Sequence, residues 1–172
     1  ECELFRLSFL YTVPRYLVFS VTGESGMGKS ALLRQFRSIA AEQDAITLIT
    51  DRYQLAADPS LTILQTLDCL ADQLKAAGTP LTVFQEQYAH YLSFTKAAAQ
   101  DPEAPGPWLG LVGGQHDADP WARQAWDAYL ARRLPHRAMI ELVKAPTKVL
   151  TETFVRELNA WSMVRRFVIC FD

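Results

Sequence analysis

Residues Gly23 to Ser30 read Gly-Glu-Ser-Gly-Met-Gly-Lys-Ser and complete the pattern G-x-x-x-x-G-K-[ST]. Four fixed positions arise by chance somewhere in 172 residues roughly once in a hundred sequences or less, and the flanking residues narrow the reading further. The run Tyr16-Leu17-Val18-Phe19-Ser20-Val21-Thr22 is short, apolar and rich in β-branched and aromatic types, as expected of a strand buried on both faces. After the pattern, Ala31, Leu32, Leu33, Phe36, Ile39 and Ala40 recur at three- and four-residue spacing, with Arg34, Gln35, Arg37, Ser38 and Glu42 on the opposite side. The order is strand, glycine loop, helix.

That order dictates a chemistry. Gly23, Gly26 and Gly28 permit backbone angles and a close approach that a Cβ would hinder, so successive N–H groups can converge on phosphate oxygens. The helix beginning near Lys29 adds donors without intrahelical partners and the positive end of its dipole. Lys29 is expected to reach the β- and γ-phosphates of a nucleoside triphosphate, and the Ser30 hydroxyl to ligate Mg²⁺. The ligands expected are therefore a nucleoside triphosphate and Mg²⁺, held by Gly23, Glu24, Ser25, Gly26, Met27, Gly28, Lys29, Ser30 and Ala31.

At the other end, Phe167-Val168-Ile169-Cys170-Phe171 is an unbroken apolar run closed by Asp172. Such a run reads as a buried strand presenting a carboxylate at its C-terminal edge. It resembles the Walker B segment of P-loop ATPases, which implies that Asp172 holds Mg²⁺ through water. The chain starts at Glu1 without an initiator methionine and stops on Asp172, and reads as a piece cut at both ends. An acidic catalytic residue is expected beyond Asp172, so no catalytic residue is assigned.

Between these ends the chain alternates helical patterns with one more strand. Ala45-Ile46-Thr47-Leu48-Ile49-Thr50-Asp51 reads as a second strand, and Asp58-Pro59-Ser60 as the start of a helix with Leu61, Leu64, Leu67, Leu70 or Ala71, and Leu74 on one face, ended by Gly78. Thr79-Pro80 opens another helix, running to about Ala99, with Phe84, Tyr88, Tyr91 and Leu92 on one side. Asp101 to Pro120 gathers prolines and glycines and reads as a surface loop. Trp121, Ala125, Tyr129 and Leu130 suggest a short helix ending near Pro135. A last helix after Pro146 uses Val149 or Leu150, Phe154, Leu158 and Trp161 to pack on the sheet. Lys29 and Asp172 lie much farther apart than two βα units require, so residues 79–146 read as a helical insertion. Residues 1–78 then form an N-terminal helix and a βαβα unit, and 147–172 the final helix and strand.

Composition narrows the partners. A net charge of −2 gives no electrostatic case for nucleic acid or an anionic membrane. Three scattered cysteines suit a reducing compartment, and Cys69 and Cys170 read as small core residues. His90, His116 and His136 lack zinc-ligand spacing, no apolar stretch is long enough to span a membrane, and no signal peptide is evident. A cytoplasmic protein is expected. The aromatic stripe on the helix after Pro80 reads as core rather than a base-stacking platform, because no basic residues are interleaved with it.

The segment Tyr16 to Ala40, continuing through Ala-Leu-Leu-Arg-Gln-Phe, is similar to the P-loop region of STAND-type signalling ATPases, the group that includes the NACHT and NB-ARC nucleotide switches. Glu3-Leu4-Phe5-Arg6 and Phe9-Leu10 resemble a helix that precedes the loop in that group, although its Gly-Arg is missing here. The resemblance implies a P-loop NTPase domain, an α/β fold with a parallel sheet in a three-layer α/β/α arrangement, incomplete here. It also implies ATP as the triphosphate and a nucleotide switch inside a multidomain regulator, with self-association or effector domains elsewhere in the full-length protein. Three other readings share the loop: an AAA+ or origin-recognition-like ATPase, a P-loop small-molecule kinase, and a truncated remnant that binds no nucleotide.

Overall fold

A computed structural model describes residues 2–8, 24, 26–50, 63–105 and 120–171. The chain enters through α1 (Cys2–Ser8) and, after the glycine loop, α2 (Lys29–Glu42), followed by β1 (Ala45–Thr50). Then come α3 (Ile63–Ala76), α4 (Thr82–Gln100), α5 (Pro120–Arg133), α6 (Arg137–Lys144) and α7 (Pro146–Ser162), and finally β2 (Arg166–Phe171).

β1 and β2 pair in parallel, with Ile46 opposite Phe167 and Leu48 opposite Ile169. Because side chains alternate between faces, the ladder sorts its residues by parity. Ile46, Leu48, Phe167 and Ile169 join the main core with Leu64, Leu70, Ala71 and Leu74 of α3, Phe84, Tyr88 and Tyr91 of α4, and Leu150 and Phe154 of α7. On the opposite face, Ala45 and Val168 pack against Phe36, Ile39 and Ala40 of α2, where Phe5 of α1 stacks on Phe36 at 4.4 Å between ring centroids. Both strands are apolar on both faces because helices cover both faces.

The expected broad parallel sheet of a three-layer α/β/α domain is not what the structure holds. Among the described residues helices make up 72% and the sheet has two strands, so the described fold is mostly helical. The physical reason lies between the strands. α4, α5 and α6 turn part of their apolar surface toward one another in a second core of Ala98, Trp126, Tyr129, Leu130 and Val143, with Phe94 and Ile140 at its margin. That surface covers helices, not strands. The expected strand 16–22 lies outside the described residues.

Individual helices also depart from the sequence expectation. The apolar face of α5 is centred on Trp126, at 3% exposure, and Trp121 is 78% exposed. Tyr129 meets Trp126 edge-on at 5.3 Å, and Tyr129 and Leu130 are buried as expected. On α4, Leu92 is 47% exposed while Phe84, Tyr88 and Tyr91 are interior, and Phe84 makes an edge contact with Phe154 at 5.4 Å. These rings pack in the core, not on an open stacking surface. Helix α6 is not foreseen from the sequence; its eight residues put Leu142 into the first core and Val143 into the second.

α7 organises the turn between α3 and α4. Thr79, itself buried, donates its hydroxyl and its N–H to the Leu74 carbonyl, at 3.1 and 2.9 Å, and so closes the end of α3. Trp161 Nε1 donates to the Pro80 carbonyl at 3.1 Å. Glu157 accepts from the Val83 and Phe84 N–H groups at 3.1 and 2.7 Å. The N-cap residue of α4, Leu81, has no side-chain cap of its own, so a carboxylate seventy residues away satisfies the orphan donors of the first turn.

Candidate functional site: the glycine loop

The loop leads directly into α2. Gly26 and Gly28 have φ of +86° and +83°, in the left-handed region that L-residues with a Cβ rarely adopt. Among the described residues a Cβ at either position would meet nothing within 4 Å, so the glycines serve the backbone dihedral. Met27 N–H donates to the Glu24 carbonyl at 3.4 Å, a tight reversal, and Leu32 N–H makes the first helical bond, to the Gly28 carbonyl at 3.0 Å. The N-cap residue is Gly28, which has no side chain to cap the helix. The first N–H groups of α2 have no intrahelical acceptor by the geometry of the helix.

Lys29 Nζ donates to the Glu24 carbonyl at 2.7 Å. The ammonium therefore lies back across the loop that precedes it instead of extending away from the helix. Glu24, Gly26, Met27, Gly28, Ser30 and Ala31 are exposed and Lys29 is half-buried, so the loop is open to solvent. Among the expected site residues, the structure thus brings Glu24, Gly26, Met27, Gly28, Lys29, Ser30 and Ala31 into one turn and helix start. Gly23 and Ser25 lie outside the described residues, as does Asp172.

The ladder has a polarity relative to this loop. Gln43 and Asp44 form a tight reversal, with N–H donations to Ala40 and Ala41, in which Asp44 takes φ of +53°. Its carboxylate pairs with Arg165 at 3.6 Å. The chain turns back there, so α2 runs antiparallel to β1. Ala40 clusters with Ala45 near the reversal. Fourteen helical residues and six strand residues both extend about 20 Å. The start of α2 and the glycine loop therefore sit at the end of the ladder where Thr50 and Phe171 finish. Thr50 is buried there, and its hydroxyl donates to the Cys170 carbonyl at 3.5 Å.

Other titratable groups fall into two structural arrangements. Burial, and then the neighbouring Asp72 charge, push the Asp68 carboxyl up, and burial followed by the Asp68 charge raises the Tyr88 hydroxyl. Asp101 is held below the usual carboxylate range, first by the Glu103 N–H, then by the Tyr129 hydroxyl at 2.8 Å, with Arg133 at 2.7 Å adding to it. Arg133 also lies over the Tyr129 ring at 5.8 Å and bonds Glu103, and Arg137 bonds Glu141. The arginines at the end of α5 and start of α6 thus hold carboxylates of this chain. Burial raises the Cys170 thiol, and the three cysteines are unpaired.

Among the described residues no group of three or more His, Cys, Asp or Glu side chains could hold a metal ion, and no helix is long and apolar enough to cross a membrane. The Mg²⁺ ligands expected from the sequence are Ser30, which stands on the first turn of α2, and Asp172. No known protein family, curated protein or solved structure matches the chain.

Proposed function

We propose that this chain binds the polyphosphate of ATP with Mg²⁺ at the glycine loop, as the nucleotide-binding module of a multidomain signalling ATPase of the STAND type. The observation that carries the reading is a single local geometry. Two left-handed glycines, Gly26 and Gly28, run without interruption into a fourteen-residue helix, and Lys29 lies across the loop. Converging N–H groups, a helix dipole and one ammonium are the elements an anion site requires. The reading rests on the loop and its resemblance, not on the mostly helical fold.

Binding asks Lys29 to exchange one acceptor for another. Its Nζ leaves the Glu24 carbonyl for a phosphate oxygen, and a charge-assisted bond to a phosphate is about twice as strong as one to a neutral carbonyl. Mg²⁺ bound with the nucleotide would be held by the Ser30 hydroxyl on the first turn of α2, and would supply positive charge against the polyphosphate. A switch follows only if ATP and ADP are distinguished, because a ligand without differential affinity for two states shifts nothing. Unpaired cysteines favour a reducing, cytoplasmic setting for the module.

The test is calorimetric titration of Mg·ATP and Mg·ADP into the chain, with Lys29→Ala as the comparison. Heat of binding that Lys29→Ala abolishes is the expected result, and unequal affinities for the two nucleotides support the switch. A folded chain that takes up neither nucleotide would overturn the proposal.

A further inference from the structure

The outer edge of β1 is occupied by a side chain. Ile49 N–H donates to Gln73 Oε1 at 2.9 Å, and Gln73 Nε2 donates to the Ile49 carbonyl at 2.7 Å. In a strand, the N–H and C=O of one residue point to the same side, and successive residues alternate sides. Since Ile49 turns both groups toward Gln73 on α3, the groups of Leu48 and Thr50 face β2. The carboxamide offers one acceptor and one donor side by side, which is what a neighbouring strand would offer to Ile49. Reversing the amide would set donor against donor and acceptor against acceptor, so the chemistry admits one orientation. Cys69, one helical turn back, accepts from the same Nε2 at 3.5 Å and helps hold it.

This arrangement meets a definite hazard. β1 reads Ala-Ile-Thr-Leu-Ile-Thr, without charge or proline, the composition most prone to recruit another strand at an open edge. Lysines, prolines and bulges are the usual guards of such an edge, and β1 has none of them. We propose that Gln73 is a strand mimic that terminates the sheet at β1, and that it keeps a second copy of this chain from adding there. The sheet can then gain strands on the β2 side only. The proposal concerns the sheet edge and is independent of nucleotide binding.

The experiment pairs hydrogen exchange with sedimentation velocity on the wild type and on Gln73→Met, which keeps the length of the side chain and removes both bonds. In the wild type the Ile49 amide exchanges as slowly as the ladder amides of Leu48 and Thr50. In Gln73→Met, folded by circular dichroism, that amide becomes fast and the chain self-associates about tenfold more strongly, as expected when a half-buried donor and acceptor seek new partners. If Gln73→Met does not fold, Gln73→Leu serves in its place, since it also removes both bonds to Ile49 and adds no charge at the edge. A wild-type Ile49 amide that exchanges freely would overturn the proposal. So would a folded variant with a fast Ile49 amide and no more self-association than the wild type.

Discussion

Replacing Glu157 by alanine removes the acceptor for two N–H groups at the start of a helix that begins more than seventy residues earlier. Its Oε1 and Oε2 accept from Val83 and Phe84 at 3.1 and 2.7 Å, and Phe84 is fully buried at the centre of the main core. A hydrogen bond to a charged group contributes about 1.5 to 3 kcal/mol, and losing a helix cap costs about 0.5 to 2 kcal/mol. The Val83 N–H is exposed and water can replace its partner, so the estimate rests chiefly on the Phe84 bond. Glu157→Ala should therefore destabilise the chain by about 2 kcal/mol. For a protein of this size that lowers Tm by about 4 to 8 °C. Glu157→Gln keeps an acceptor without the charge and should cost about half as much. Chemical denaturation followed by circular dichroism measures both, with Glu152→Ala, an exposed carboxylate on the same helix, as the reference within about 0.5 kcal/mol of wild type. If Glu157→Ala proves no more destabilising than Glu152→Ala, the cross-chain cap does not hold α4, and the reasoning fails.

Three further outcomes follow from the same structure. Gly28→Ala, at φ of +83° where among the described residues the Cβ meets nothing within 4 Å, should cost about 1 to 2 kcal/mol of strain and weaken Mg·ATP binding while leaving the fold intact, as thermal melting and calorimetry would show. Phe84→Ala, which empties a fully buried site between Tyr88 and Phe154, should destabilise by about 3 to 5 kcal/mol; a loss below 1 kcal/mol in urea titration would contradict the described core. Asp101, whose carboxyl is lowered in the fold, contributes stability that is present above the ordinary carboxylate range near pH 4 and is lost as pH falls through its folded value. The stability gap between wild type and Asp101→Asn should therefore shrink as pH falls below about 4, and a gap that stayed constant down to pH 2 would count against the Asp101–Tyr129–Arg133 cluster.

Much of the local structure is legible in one dimension. The apolar spacing of Leu32, Leu33, Phe36, Ile39 and Ala40 makes α2 a helix. That of Leu64, Leu70, Ala71 and Leu74 does the same for α3, and the short, largely apolar runs at 45–50 and 166–171 mark both strands. The glycine loop is legible for the same reason, because a left-handed turn before a helix needs glycine at particular positions, and Gly26 and Gly28 take that conformation. The phase of α5 is harder to read, since Trp121 and Trp126 are equally apolar and only packing against Phe94 and Tyr129 selects Trp126. α6 is short, and its Leu142 and Val143 face different cores, so no single stripe announces it.

Residue type and periodicity, which act within a few positions along the chain, determined where helices and strands form and where the loop turns. Tertiary structure decided what they meet. It set β1 beside β2 across more than a hundred intervening residues, and it divided the helices among three packed clusters instead of spreading them over a wide sheet. It also brought Gln73 to the edge of β1 and Glu157 to the start of α4. Each of these pairings satisfies a backbone donor or acceptor whose need is local but whose partner is distant. No spacing pattern in the sequence can name that partner; only the closed packing of the chain brings the two together.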